Sequence, residues 1–281
     1  MRIRISADST CDLSKELLEK YDVAITPLYI RLGEKDLKDS IEVTRDDIFS
    51  YVERTKSIPK TAAVNVGDYV DFFTKVKEEG YDGIVHFTIS ADMSSCYQNA
   101  CLAAGTFENV YIVDSRTLST GIGHLVLDAC ELRDEGKTAK EIFDILEERK
   151  QKLDVSFVLD TLRYLALGGR CNSLLAFGAN ILNIKPSIQV KEGKMGVDKK
   201  YRCSFERAVV RYINDKLADH DSLNLKRIFI TDSGCSDEVR NAAEEAVLKN
   251  APFAEVIHTR AGCTISSHCG PNCIGILFYR K

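Results

Sequence analysis

One histidine near the end of the chain stands among residues that could bind a ligand or carry out catalysis. His268 follows Ser267, and the Gly270-Pro271 pair after it is typical of a turn. A short apolar run at 274–279 then predicts a buried strand. We therefore expect His268 on a loop at a strand edge, where side chains face a ligand more often than a core. A structural histidine is the alternative.

Loops rich in hydroxyl groups follow the predicted strands of the first half of the chain. They contain Ser9 and Thr10, Ser115, and the serines of residues 90–95, while Thr61 precedes a predicted helix. The carboxyl ends of parallel strands meet at one sheet edge, where ligands bind. Each hydroxyl could instead cap a helix. A shared cluster of hydroxyls and a histidine without strong cations favours a weakly held carboxylate over a phosphate.

Ser94 and His268 could form the nucleophile and base of an acyl-transfer enzyme. No aspartate is visibly placed to orient the histidine, and the sequence contains neither a phosphate-binding loop nor a nucleophile-elbow motif. Gly121-Ile-Gly123 fails the dinucleotide-binding pattern, because Val126 stands where its third glycine belongs. The acyl-transfer enzyme is therefore kept as an alternative, and we predict no cofactor.

The ten cysteines are scattered along the chain, and no two are spaced as C-x-x-C. Cys263, Cys269 and Cys273 could join His268 at a metal ion, but their spacings match no usual zinc pattern. We therefore expect no metal site, and we interpret the thiols as buried or incidental in a reducing cytosol.

The composition limits the kinds of partner that the protein can have. The 281 residues carry a net charge of -4 with no long run of lysine or arginine, which argues against nucleic acid or an anionic membrane as the main partner. The first residues lack the continuous apolar core of a signal peptide. The longest uncharged apolar run, 171–184, is too short to span a bilayer. We expect a cytoplasmic protein without stable membrane insertion.

The order of the predicted elements divides the chain into two α/β domains, residues 1–155 and 156–281. Strands and helices alternate through the first domain, with capping boxes at Thr44 and Thr138, and this alternation predicts a mainly parallel sheet flanked by helices. The second domain has a predicted hairpin across Glu192-Gly193 and further strands. We expect a mixed-sheet α/β domain there.

Short motifs in a specific order and spacing resemble the DegV family of bacterial fatty-acid-binding proteins over the whole chain. The motifs are Asp8-Ser-Thr-Cys-Asp12, Pro59-Lys-Thr61, the loop at 90–97 with Gln98-Asn-Ala100, Val113-Asp-Ser-Arg-Thr-Leu118, Leu165-Ala-Leu-Gly-Gly-Arg170, Lys185-Pro186 and Ser267-His-Cys-Gly-Pro271.

This resemblance implies a two-domain DegV-like fold and a lipid-binding protein with no catalysis of its own. A palmitate-like long-chain fatty acid would bind between or within the domains. Its carboxylate would be presented to a separate ATP-dependent fatty-acid kinase subunit, which forms the acyl phosphate. The implied roles are lipid transport and fatty-acid metabolism.

Individual site residues follow from the same resemblance. It places the fatty-acid carboxylate at Thr61, Ser94 and His268, and kinase docking at a basic patch that contains Arg202. Without the resemblance, this patch would be interpreted as a solvated strand edge. Further candidate residues of the pocket are Ser95, Ser267 and Arg170.

The chain departs from the usual DegV pattern in the loops that would surround the carboxylate. Residues 90–97 read Ser-Ala-Asp-Met-Ser-Ser-Cys-Tyr instead of Ser-Ser-Gly-Leu-Ser-Gly-Thr-Tyr, and Asn272 replaces the last glycine of Gly-Pro-Gly. Asp92 would repel a bound carboxylate unless it points away. A binder of a smaller, more polar carboxylate is therefore an alternative. The apolar run at 174–182 is a candidate slot for the tail, with a plain core helix as the alternative.

Overall fold

The computed structural model describes residues 1–171 and 184–281. Its strands are β1 (Ile3–Asp8), β2 (Val23–Thr26), β3 (Tyr29–Leu32), β4 (Lys35–Lys38), β5 (Lys60–Ala62), β6 (Gly83–Thr88), β7 (Val110–Asp114), β8 (Leu153–Leu159), β9 (Lys185–Lys191), β10 (Lys194–Tyr201), β11 (Leu223–Ser233), β12 (Glu255–Arg260) and β13 (Cys273–Arg280). Its helices are α1 (Lys15–Lys20), α2 (Arg45–Thr55), α3 (Val66–Glu78), α4 (Cys96–Ala104), α5 (Thr120–Asp134), α6 (Ala139–Arg149), α7 (Arg163–Gly168), α8 (Phe205–Leu217), α9 (Asp237–Asn250) and α10 (Cys263–Cys269).

Two larger sheets carry the fold. A four-stranded parallel sheet has the order β2-β1-β6-β7, and a six-stranded mixed sheet has the order β10-β9-β8-β13-β11-β12. In the mixed sheet only β11 and β12 are paired in parallel. The predicted fold class, a mainly parallel sheet followed by a mixed-sheet α/β unit, is confirmed.

Helix α5 lies between the two sheets. It packs on β1 and β6 of the parallel sheet and on β8 and β13 of the mixed sheet. Almost every residue from 120 to 132 is therefore buried, which explains why this helix has no clear polar face. The predicted division after residue 155 falls inside β8 and stays a prediction. Across residues 1–171 and 184–281, no helix has the length and apolar character needed to cross a membrane.

Several local predictions are confirmed. Thr44 and Thr138 form the predicted capping boxes. Each threonine hydroxyl accepts from the backbone N–H of the third helical residue, which is Asp47 or Glu141. The side chain of that acidic residue accepts in return from the N–H of the threonine. The β9-β10 hairpin turns at Glu192 and Gly193, whose φ angles of 50° and 81° are the left-handed values that a tight hairpin turn needs.

A small three-stranded antiparallel sheet, of order β4-β3-β5, was not predicted. Its strands are short, and β4 reads Lys-Asp-Leu-Lys, so neither length nor alternation of apolar residues indicates a sheet. In this sheet Ile30 of β3 pairs with Thr61 of β5. Thr61 is thus fixed on a strand rather than on a loop before a helix.

The prediction that His268 lies on a loop is wrong. His268 is the sixth residue of α10. Gly270, with φ of 74°, follows the helix, and the Gly-Pro pair therefore marks the end of a helix rather than a loop around the histidine.

Candidate functional site

A cavity of about 370 Å³ lies between the two halves of the chain. The first half contributes the 90–95 loop and β5, and the second half contributes α7, β10 and α10. Most of the wall is apolar, and its larger apolar side chains are Leu28, Ile89, Met93, Leu118, Leu165, Met195 and Ile265. Thr61, Ser94, Ser95, Arg170 and His268, five of the six predicted pocket residues, also line this cavity.

Helix α10 is held in place by two carboxylates from the first half of the chain. Asp39 accepts from the backbone N–H groups of Cys263 and Thr264, at 2.9 and 3.1 Å, and from the Thr264 hydroxyl at 2.6 Å. Asp12 accepts from the N–H of Gly262 at 2.9 Å. These contacts satisfy backbone donors that the start of a helix leaves free, and they fix the start of the helix that carries His268.

Thr61 and His268 meet across the cavity. The distance between Oγ1 of Thr61 and Nε2 of His268 is 2.9 Å. The opposite ring nitrogen, Nδ1, is buried and has no hydrogen-bond partner among the residues that the structure describes. A Cβ atom added at Gly168 would lie 2.4 Å from this nitrogen. The glycine therefore makes room for the imidazole ring, which gives a physical reason for the Leu-Gly-Gly-Arg motif.

The imidazole of His268 is neutral at neutral pH. Burial, followed by the positive charge of Arg170, lowers the pKa of His268 to about 4. The ring therefore offers one N–H donor and one acceptor nitrogen. A carboxylate placed here would accept a hydrogen bond from the ring or from the Thr61 hydroxyl without meeting a full positive charge from either of them.

Ser94 and Ser95 lie on the cavity wall at the start of α4. The Ser94 hydroxyl accepts from the N–H of Cys96 and donates to its Sγ, both at 3.3 Å. The side chain of Ser95, which is exposed, makes no capping hydrogen bond. The Ser94 hydroxyl is therefore bound to the first residue of α4, and it is not hydrogen-bonded to His268.

This arrangement does not form a catalytic triad. His268 has no carboxylate partner at Nδ1 within residues 1–171 and 184–281, and Ser94 donates to a thiol instead of to the imidazole. A serine nucleophile needs a hydrogen-bonded base, and the base needs a group that orients it. Those same two stretches of the chain contain no cluster of three metal-binding side chains.

Arg170 and Ser267 differ in their placement. Arg170 lines the cavity and donates from Nη1 to the carbonyl of Gly168 at 2.7 Å, so a cation does face the site. Ser267 is fully buried, and its hydroxyl has no partner in the described part of the chain. Its side chain lies outside the cavity wall.

The other hydroxyl loops at the predicted sheet edge are used internally. Ser9 donates to Asp39 at 2.9 Å, and the Ser115 hydroxyl donates to the carbonyl of Thr117 at 3.3 Å. Asp8 accepts from the N–H of Ile89 at 2.8 Å. These residues shape the 90–95 loop and the anchor of α10, but they do not line the cavity.

Asp92 lies on the cavity wall but is paired with two cations. Its carboxylate accepts from Nη1 of Arg116 at 2.6 Å and lies 3.6 Å from Nζ of Lys194. These partners offset its negative charge, so the repulsion expected from the sequence is reduced. No local sequence pattern indicates this pairing, because Lys194 comes from a hairpin in the other half of the chain.

A smaller apolar cavity borders the first one, and we refer to it as the extension. A second cavity of about 30 Å³ shares Leu118, Ile265 and Cys269 with the first and reaches Phe157 and Leu277. An apolar tail entering past Thr61 would be directed towards this extension. The candidate tail slot at 174–182 lies outside the described residues.

Arg202 lies away from the cavity wall, directly after the last residue of β10. Its side chain is exposed, and it forms no hydrogen bond or ion pair with any residue that the structure describes. Nearby Lys199 is paired with Asp215 at 3.2 Å. Arg202 therefore offers an uncompensated positive charge at the surface.

Comparisons with known proteins place the chain among DegV proteins. The family model described as "Uncharacterised protein, DegV family" matches residues 2–281. A DegV domain-containing protein of Clostridium perfringens is 30% identical over 283 residues, with 99% of this chain and 98% of the relative covered. Another, from Clostridium acetobutylicum, is 29% identical over 282 residues, with 100% and 99% covered.

Solved structures share the whole architecture. A DegV family protein from Thermus thermophilus, described as fatty acid binding, has a TM-score of 0.92 at 30% identity, with 100% of both chains covered. A stearic-acid-binding protein from Eubacterium ventriosum has a TM-score of 0.85 at 26% identity, with 100% of this chain and 99% of that chain covered.

Proposed function

The chain belongs to the DegV family, and on this basis we propose that it binds a long-chain fatty acid in the cavity between its two halves. The observation that carries the proposal is the hydrogen-bonded pair of Thr61 and His268, which lies among apolar side chains in a cavity of about 370 Å³. Cavities of this size and character hold small apolar ligands with a few polar groups. The relatives from Thermus thermophilus and Eubacterium ventriosum are described as fatty-acid-binding proteins.

The polar pair is the proposed site of the carboxylate. The neutral ring of His268 donates from Nε2 to the Thr61 hydroxyl, which in turn donates to the carboxylate. Arg170 adds a positive charge, and Ser94 joins by turning its hydroxyl from Cys96 to the ligand. Hydrogen bonds to a charged group contribute about 1.5–3 kcal/mol each. The carboxylate is thus oriented without a bidentate arginine pair, which leaves an oxygen available for chemistry.

The tail supplies most of the proposed binding energy. About fourteen buried methylene groups would contribute roughly 11 kcal/mol at about 0.8 kcal/mol each, before the costs of association. Leu118 and Ile265, which line both the main cavity and its extension, lie on the proposed path of the tail.

The proposed role is to present the carboxylate to a separate ATP-dependent fatty-acid kinase subunit, which forms the acyl phosphate. The absence of a serine–histidine pair in the described site supports presentation rather than catalysis by this chain. The exposed and uncompensated Arg202 supports a docking surface for an acidic face of that kinase. We set this step in the cytoplasm, where ATP is available to the kinase.

Native mass spectrometry of the purified protein tests the proposal directly. We expect one fatty acid per chain, either carried through purification or taken up when palmitate is added. The double variant T61V/H268Q serves as the matched control and should lose most of this uptake. Repeated purification without bound lipid, together with no uptake of added palmitate, would overturn the proposal.

A further inference from the structure

The tip of the β9-β10 hairpin is tied to the loop that forms one wall of the cavity. The hydroxyl of Ser90 donates to the carbonyl of Gly193 at 2.8 Å, and the guanidinium of Arg116 donates to the carbonyl of Glu192. Both bonds join the first half of the chain to the second. They connect the hairpin tip to residues at the ends of the parallel strands.

An ionic contact strengthens the same connection. Asp92 accepts from Nη1 of Arg116 at 2.6 Å, and its other carboxylate oxygen lies 3.6 Å from Nζ of Lys194. Arg116 therefore contacts the wall loop through Asp92 and the hairpin through Glu192 at the same time. We refer to Ser90, Asp92, Arg116 and residues 192–194 together as the hairpin latch.

The fit at the hairpin tip leaves no spare room. Gly193 has φ of 81°, and a Cβ atom added there would lie 2.7 Å from both Cζ of Arg116 and Oγ of Ser90. The glycine therefore serves the turn and also allows the arginine to lie against the backbone. The backbone of the hairpin tip is therefore in direct contact with the guanidinium of Arg116.

Both sides of the hairpin latch continue into the cavity wall. Asp92 and Met93 line the cavity on the loop side, and Met195 lines it on the hairpin side, two residues from Gly193. Separation of the hairpin from the loop would therefore move the part of the wall that carries Met195 away from the part that carries Asp92 and Met93.

We propose that the hairpin latch sets the rate at which the ligand enters and leaves the cavity. The identity of the ligand rests on the proposed function, whereas the latch rests on the contacts between hairpin and loop. The side chains of Asp92, Arg116 and Lys194 are 27%, 36% and 73% exposed. An ion pair this exposed is weak and is screened by salt, so it opens often without unfolding the chain.

Ligand exchange kinetics test the proposal. A long-chain fluorescent polyene fatty acid is mixed with the protein by stopped flow, and release is followed with excess palmitate. In both D92N and R116Q we expect the association and dissociation rate constants to rise together by about two- to fivefold, with little change in affinity, because opening precedes both entry and exit. The double variant should have less than the combined effect of the two single changes, since each of them already removes the Asp92–Arg116 bond.

The control is D144N, which removes an exposed ion pair with Lys140 on α6 and should change neither rate constant. Higher salt should speed exchange in the wild type and have a smaller effect in D92N. A faster dissociation with unchanged association would instead identify Asp92 as a ligand contact, and it would overturn the latch. Unchanged rate constants in both variants would overturn it as well.

A measurement on the empty protein separates the latch from the proposed function. Hydrogen–deuterium exchange of the backbone amides at 90–95 and 192–196 should become faster in D92N and stay unchanged in D144N. This result is expected even if the protein binds no fatty acid. Unchanged exchange at both segments in D92N would show that the ion pair does not hold the hairpin, and the proposal would fail on that ground alone.

Discussion

Thr61 contributes a single hydroxyl to the cavity, and its contact with Nε2 of His268 ties the two halves of the site together. Valine at this position keeps the side-chain shape and removes the donor. We expect T61V to weaken palmitate binding about tenfold or more, because one hydrogen bond to a charged group contributes about 1.5–3 kcal/mol. Competition with a fluorescent fatty acid measures the loss. The matching long-chain alcohol is the control ligand, and an equal loss for alcohol and acid would contradict the assignment.

The buried ring of His268 also predicts how stability depends on pH. Its pKa falls from the ordinary 6.5 of a histidine to about 4 on folding, so between these values the unfolded chain binds more protons than the folded chain. Stability contributed by the neutral ring is therefore complete above about pH 6.5 and is lost as the pH falls towards about 4. H268Q should reduce the loss of unfolding free energy between about pH 7.5 and about pH 5 by roughly 2 kcal/mol.

Urea unfolding of both proteins at the two pH values measures this difference. His86 and His124, which are also buried, remain in the variant and supply the unchanged part of the pH dependence. An identical pH dependence in wild type and H268Q would show that the His268 ring is not held neutral by burial.

Motifs of a few residues allowed part of the site to be predicted. Thr61, Ser94 and His268 could be named because each lies in a motif with its own type and spacing, and their role as carboxylate ligands stays a prediction. The pairing of Asp92 with Arg116 and of Arg116 with the hairpin could not be named. The first contact joins residues that are 24 positions apart in the sequence, and the second joins residues that are 76 positions apart. No local pattern encodes such contacts.

Helix α10 shows why an element that positions the site escaped prediction. It has only seven residues, and its start is capped by Asp39 and Asp12. Asp39 is 224 positions away from Cys263, and Asp12 is 250 positions away from Gly262, whose N–H groups they accept from. Local helix signals such as a serine or threonine cap are absent at Gly262. Longer elements with their own caps, such as α2 and α6, were predicted well because their stabilising contacts are within the same segment.

The carboxylate of Asp39, which anchors the start of α10, leads to a prediction about stability. Asp39→Ala removes the acceptor of two backbone N–H groups and of three hydroxyls, and of these hydroxyls only that of Ser40 belongs to an exposed residue. Each buried donor left unsatisfied costs about 1–3 kcal/mol, so we expect a loss of about 3 kcal/mol or more in the free energy of unfolding. The exposed Asp46→Ala on α2 is the control and should change stability little. A loss for D39A no larger than that of D46A would contradict the anchor.

The sequence predicts two α/β units, but it does not predict which of their surfaces meet. The cavity exists because α10 and the β9-β10 hairpin of the second half contact β5 and the 90–95 loop of the first. Each unit taken alone has only part of the wall and only one of the two polar residues. The site therefore forms only where the two halves contact each other, and local sequence patterns do not encode that contact.

The proposed docking of a kinase would involve the outer surface of the protein rather than the cavity. Arg202 is exposed and lies outside the cavity wall, so R202A should leave palmitate affinity unchanged. It should slow formation of the acyl phosphate by a partner kinase at low salt, because a charge at an interface rim mainly changes the association rate. R54A, which removes an exposed arginine on α2, is the control. Loss of lipid binding in R202A, or unchanged turnover at low salt, would contradict the docking assignment.

The length of the ligand separates a fatty acid from a small polar carboxylate. If the tail lies in the apolar cavity and its extension, each added pair of methylene groups should tighten binding by about tenfold, since burial contributes about 0.8 kcal/mol per group. The gain should stop once the cavity is filled.

Dissociation constants for a series from butyrate to stearate measure this slope in the wild type and in T61V. If Thr61 contacts only the carboxylate of the ligand, as proposed, T61V should shift every member by a similar factor and leave the slope unchanged. Binding of butyrate as tight as that of palmitate would instead identify the protein as a binder of small carboxylates.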